Sequence, residues 1–194
     1  DDLGASYCVA SGDIDRDGDE DLLVQNHLER VRLWVNHIAP DPVARRWIAL
    51  RAEGRGANTH GIGTRIEVRA GGRVHWREVA AGSAYKSQSS YRVHIGLGGA
   101  AVIDEIEDAF PRAGRLHACT RVLRNIPTNL EWPLVAPESL GDVDRSGVRG
   151  DNDRAELVKS LGLPCTPALA RLDLDGDVQL TAADLAEFDR VQCD

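Results

Sequence analysis

Nine residues near the start constrain this chain more than any other stretch. In Asp13-Ile-Asp15-Arg-Asp17-Gly18-Asp19-Glu-Asp21 a carboxylate stands at every second position, with a glycine after the third. Five acids this close repel one another, and a fold gathers them only around a compensating cation. Oxygen ligands at alternate positions, with a glycine for the sharp turn, suit a hard ion that takes about six to eight oxygens, which is calcium. The spacing assigns side-chain ligands to Asp13, Asp15, Asp17 and Asp21, and a main-chain carbonyl to Asp19. A merely solvated acidic loop has no need of so regular a pattern.

The 194 residues suffice for one ordinary domain or two small ones, and 42% of them are hydrophobic, enough for a core. No apolar run approaches the length of a membrane span, and no signal peptide opens the sequence. The chain holds no methionine, which leads to the expectation that an N-terminal portion precedes it in a longer product. The net charge of −8 is unevenly placed: residues 1–42 carry −7, residues 43–126 carry +7, residues 127–135 add −1, and residues 136–194 carry −7. The arginines of the basic middle are scattered singly along alternating stretches. A salt-laced surface explains them better than a nucleic-acid groove. Cys8, Cys119, Cys165 and Cys193 show no CxxC spacing, which argues against zinc or a thioredoxin-like centre. With calcium loops beside them, they suit an oxidising extracellular or cell-surface setting.

Residues 1–42 read as part of a β unit. Leu22-Leu-Val-Gln-Asn26 leaves the acidic loop as a short strand, and Val31-Arg-Leu-Trp-Val35 closes a hairpin through residues 27–30. The loop, the strand after it and Leu33-Trp34-Val35-Asn36 together resemble one FG-GAP (VCBS) repeat, a family in which the unit is a propeller blade whose loop binds calcium. A single blade cannot bury its own faces, since such repeats depend on stacked neighbours. The resemblance therefore implies either blades upstream or packing onto the next domain.

After Pro40-Asp-Pro42, residues 43–126 form an alternating β segment. Strands are expected at Trp47–Ala52, Arg65–Arg69, Val74–Val79, Tyr91–Leu97, Ile103–Phe110 and Leu116–Leu123. Gly71-Gly72 marks a type I′ hairpin, and short strands at this spacing mean an antiparallel sandwich or barrel. Trp47-Ile-Ala-Leu50, Gly61-Ile-Gly63, Arg77-Glu-Val79 with Gly82-Ser83, Ser87-Gln-Ser89 and Val93-His-Ile-Gly-Leu-Gly98 make the segment similar to the ASPIC and UnbV domain. That family sits behind FG-GAP propellers in secreted proteins, so the likeness implies a fold and a setting more than an activity. The prolines of residues 127–141 suggest an ordered linker or strap, with Trp132 as its anchor.

Residues 142–194 turn acidic and helical. Asp142, Asp144, Ser146 and Asp153 stand at EF-hand positions 1, 3, 5 and 12, with Gly147 at position 6 and Val148 at position 7. Asp173, Asp175, Asp177, Gln179, Thr181 and Asp184 stand at positions 1, 3, 5, 7, 9 and 12 of a second loop. Helices are expected at Arg154–Leu161 and Leu185–Val191. The tandem looks like a dockerin module, whose helices bind a protein partner. It departs from that pattern at Val178, where position 6 usually holds glycine, and at Arg149 and Gly150 of the first loop. The likeness suggests a Cys165–Cys193 disulfide, because two packed loop–helix units bring the linker between them near the last helix. Cys8–Cys119 would then be the second pair.

Enzyme motifs are missing: there is no GxSxG, HExxH, P-loop or GxGxxG. His75 and His94 fall within strands, where edge or surface positions are the default. Ser83, Ser87, Ser89 and Ser90 fit a Gly/Ser-rich turn better than an oxyanion loop, and the carboxylates are committed to metal. The expectation is a mainly β protein with a small helical end, not an enzyme, binding up to three calcium ions. It would engage a protein partner or its own copies through β edges or the dockerin-like helices, with no nucleic acid and no membrane span. Two other readings are a subunit of an extracellular assembly and an ancillary domain of a secreted enzyme.

Overall fold

The computed structural model of the chain describes residues 5–38, 43–54, 56–111, 119–136, 141, 150–174 and 176–190. It is mainly β, in three sheets, with a small helical part at the C-terminal end. The first sheet runs β1 (Ser6–Gly12), β2 (Asp21–Asn26) and β3 (Arg32–Trp34), antiparallel throughout. β2 and β3 are the hairpin read from the sequence. β1 was not anticipated, and it pairs with β2 across the acidic loop, Gly12 opposite Asp21.

Two sheets form a sandwich. One has the order β10-β4-β7, from β4 (Arg46–Glu53), β7 (Val93–Gly98) and β10 (Leu130–Val135). The other has the order β6-β5-β8-β9, from β5 (Arg65–Ala70), β6 (Arg73–Glu78), β8 (Val102–Phe110) and β9 (Cys119–Pro127). Strand alternation sets the layers. Ile48, Leu50 and Ala52 of β4, with Val93, Ile95 and Leu97 of β7, face Ile66, Val68 and Ala70 of β5 and Ile103 and Ile106 of β8 in one buried cluster. The Gly71-Gly72 turn is as expected, with φ of +55° and +73°, both left-handed as a type I′ hairpin requires.

The stretch read as a strap holds a strand. β10 lies parallel to β4, Trp132 opposite Leu50, and Trp132 is buried as the anchor its position suggested. Pro133 is tolerated because β10 is an edge strand and needs no donor on its open side.

The helical end is not a separate ball. Helices α1 (Asp151–Ser160) and α2 (Ala182–Arg190) contribute Leu157 and Phe188 to the same cluster as the sandwich, along with Leu172 and Leu180 between them. The second acidic loop docks on the edge of β9, where the Arg124 N–H donates to Gly176 O at 3.2 Å. On the inward face of β8, between Ile106 and Phe110, sits Asp108, fully buried, paired with the nearly buried guanidinium of Arg121 on β9 at 3.3 Å. Burial pushes the Asp108 carboxyl up to about 6 against the opposing pull of Arg121.

Neither expected disulfide is formed: Cys8 and Cys165 are both free thiols. Cys8 belongs to the first sheet, whose acidic loop lies over Trp47 and Ala49 of β4, whereas Cys119 opens β9 in the opposite layer. Cys165 is buried beneath the second acidic loop and its Sγ donates to the Thr166 carbonyl at 3.8 Å. Burial and the nearby Asp173 and Asp184 push this thiol up to about 12, so it is inert. Cys193 lies outside the described residues.

Candidate metal centre

The acidic loop joins β1 to β2, so strand pairing fixes its two ends one residue pair apart. Between them the chain reverses through two left-handed residues, Arg16 at φ +64° and Gly18 at φ +96°. Asp13, Asp15 and Asp21 are thereby brought together, with one carboxylate oxygen of each within 4.8 Å of the others. Among the described residues this is the one such group of three metal-ligating side chains.

The surrounding hydrogen bonds hold each carboxylate in place. Asp21 is 1% exposed and accepts the Ile14 N–H at 2.9 Å on one oxygen and the Asn36 N–H at 2.8 Å on the other. These two main-chain donors hold its carboxyl below the ordinary value. Asp13 accepts the Gly18 N–H at 3.2 Å through Oδ2, while its Oδ1 is buried with no hydrogen-bond partner. An ionised oxygen left so is costly unless a cation meets it. All-oxygen donors on a short loop suit a hard divalent ion, and calcium fits this set.

Asp17 and Asp19 stand outside the group of three. Asp17 accepts the Asp19 N–H at 2.9 Å, and Asp19 accepts the Ile38 N–H at 3.1 Å. Of the four expected side-chain ligands, three converge and Asp17 braces the turn.

In the second helical-end loop, Asp173 and Asp184 are buried. Asp184 accepts the Leu174 N–H at 2.7 Å and the Thr181 N–H at 2.8 Å, so it ties the loop's start to the first turn of α2. Asp177 accepts the Gln179 N–H at 2.8 Å, and the Thr181 hydroxyl accepts the Ala183 N–H at 3.1 Å as a helix cap. Val178 carries the φ of +65° that the missing glycine would adopt freely, and its side chain packs against the core. Asp175 lies outside the described residues. So do Asp142, Asp144, Ser146 and Val148 of the first loop. Its last member, Asp153, is buried and accepts the Gly150 N–H at 2.8 Å at the start of α1.

Two relationships in the surroundings carried no sequence signal, although the serine-rich turn itself did. The serine-rich turn straps the first sheet to the sandwich: Ser87 Oγ donates to Val9 O at 2.6 Å, Ser90 N–H donates to Ser11 O at 3.4 Å, and Ser89 Oγ accepts the Ser11 N–H at 3.1 Å. This covers the outer edge of β1. Beneath the acidic loop lies a cavity of about 290 Å³, with Gly12, Asp13, Arg16 and Glu20 on the loop side and Trp47, Ala49 and His94 on the sheet side. His94 is half-buried there, stacked on Trp47 with ring centroids 5.5 Å apart.

Among known families, residues 54–140 match ASPIC and UnbV. The matched interval starts within the sandwich, after β4, and runs past residue 126 to take in β10. No curated protein is significantly similar to this chain.

Proposed function

We propose that this chain is a calcium-binding interaction protein of an extracellular or cell-surface setting. The observation that carries the metal reading is the convergence of Asp13, Asp15 and Asp21 around an Asp13 oxygen that is buried without a partner. In this reading β1–β3 and their loop are an FG-GAP-type calcium unit, and the α1–α2 region is a dockerin-like EF-hand pair whose second loop, Asp173–Asp184, takes a further ion. Bound calcium would neutralise the clustered carboxylates and fix the loop that spans β1 and β2. No catalytic role is assigned.

The interaction half of the reading rests on the first sheet. Leu22, Leu23, Leu33 and Trp34 are all more than two-fifths exposed, and none of the first sheet's residues belongs to the buried core. Leu22 pairs with Trp34 on one face and Leu23 with Leu33 on the other, so each face of this small sheet offers an apolar pair to a protein partner. A second reading, a subunit of an assembly joined through β edges, is favoured by β3, which lies at the edge of its sheet.

Titration calorimetry of chelator-treated protein with calcium tests the metal reading. A fall in uptake in Asp13→Ala, with the second loop's share remaining, supports it, and absence of any calcium uptake overturns it. Sedimentation in calcium separates the two interaction readings: concentration-dependent growth favours self-assembly, and a strict monomer favours a different partner.

A further inference from the structure

We propose that the cavity beneath the acidic loop is a binding site for a neutral saccharide ring. Its floor is the outer face of the β10-β4-β7 sheet. Glu131, Ala49 and His94 are direct neighbours in one row across the three strands, Glu131 opposite Ala49 on one side and His94 opposite Ala49 on the other. A methyl-sized side chain between two long ones leaves a hollow in the centre of the sheet. The acidic loop roofs that hollow rather than filling it, which gives the cavity of about 290 Å³. This is near the small end of ligand pockets, roughly 300–1,000 Å³, and suits one sugar ring or a pair.

The walls choose the chemistry. Glu131 is already balanced, by Arg92 at 3.0 Å and by Arg51 at 2.8 Å. Its pairing with Arg92 leaves donors and acceptors side by side with no unbalanced charge on the sheet side. On the loop side Arg16 adds donors and Asp13 and Glu20 add acceptors; a hydroxyl both donates and accepts, so a neutral polyol can use both walls. Trp47, stacked on His94 and overlaid by Gly18, adds an apolar edge to the wall beside the hydroxyl-binding groups. The proposal does not depend on metal in the loop, because the row and its ion pairs belong to the sandwich.

Saturation-transfer NMR with glucose, mannose, galactose, fucose and N-acetylglucosamine, on protein in calcium and again in chelator, tests it. At least one of these sugars should show transfer, and Ala49→Leu, which fills the hollow from its floor, should abolish it while calcium uptake and the melting curve stay as in the parent. Should Ala49→Leu not fold, Glu131→Ala on the edge strand replaces it with the same expectation. No transfer to any of the five, equal transfer in the filled variant, or stronger transfer to glucuronate or glucosamine than to every neutral sugar each overturns the proposal. Transfer that persists in protein taking up no calcium upholds it, and the metal reading alone falls.

Discussion

The backbone of Gly18 lies against the indole of Trp47 so closely that a Cβ on Gly18 would stand 2.6 Å from both Cδ1 and Cε2 of the ring. The glycine read from the sequence as a turn residue thus does two things. Its φ of +96° lets the acidic loop reverse, and its missing side chain lets that loop settle on β4 of the sandwich. The candidate metal centre and the β domain are fitted to each other at this point.

Gly18→Ala should therefore cost more than an ordinary turn substitution. A left-handed alanine costs about 1–2 kcal/mol, and the overlap with Trp47 adds about 1–3 kcal/mol unless the loop lifts away. The expected outcome is a melting midpoint lower by several degrees. Adding Trp47→Ala to Gly18→Ala should recover part of that loss, because the overlap disappears while the strained φ remains. Additive losses in this double-mutant cycle would show that the two residues do not meet in solution.

Asp108 makes a second prediction, on pH. Its carboxyl is raised to about 6 by burial, above the ordinary 3.8, so the folded chain binds a proton more readily than the unfolded chain. Stability from this group is fullest below pH 3.8 and falls as pH rises from there to about 6, by on the order of 3 kcal/mol. Asp108→Asn should flatten that part of the stability–pH curve, measured by denaturant melts in chelator. The height of the curve will also drop, because Arg121 loses its buried counter-charge. The slope is the diagnostic, and an unchanged slope counts against the assignment.

Much of the sandwich was legible because its signals are local. Val68 and Val74 flank a Gly-Gly pair, and alternation at residues 93–97 places Val93, Ile95 and Leu97 inward. β10 was hidden by the opposite circumstance. Leu130-Glu-Trp-Pro-Leu-Val135 holds a proline and pairs in parallel with a strand some eighty positions earlier, a contact that no local pattern encodes. Asp108 was illegible for a related reason: a carboxylate on the core face breaks the apolar alternation, and only its opposition to Arg121 explains it. In the acidic loop, spacing singled out the carboxylates but not which of them converge. Which carboxylates converge is decided by main-chain donors, such as Asn36 N–H on Asp21, that belong to a later strand end.

Trp132 gives a third prediction. It is 1% exposed and ties β10 to the cluster that also receives Leu157 and Phe188 of the helices. Trp132→Ala should cost about 3–5 kcal/mol, the range for emptying a large aromatic site. Equilibrium denaturation followed by circular dichroism measures it. A loss below about 1 kcal/mol, the scale of ordinary surface changes, would mean that β10 is dispensable to the sandwich.

The last prediction concerns calcium withdrawal. Any ion that binds only the folded chain stabilises it by mass action, by about 2.7 kcal/mol at a hundredfold excess over its dissociation constant. Adding calcium to chelated protein should raise the melting midpoint, and the variants should divide the gain. Asp13→Asn removes the buried oxygen that has no other partner, so most of the gain should vanish with it. Asp173→Asn should leave the greater part, since among the described residues three carboxylates converge only in the first loop. Acid should erase the gain as well. Asp21 is held below its ordinary value by two N–H donors, so its stabilising charge is present above pH 3.8 and is lost as pH falls below that through the lowered folded value. Scanning calorimetry of the three proteins at neutral pH and at pH 3, with and without calcium, decides the matter. A calcium gain that survives Asp13→Asn but disappears in Asp173→Asn would move the principal site to the helical end.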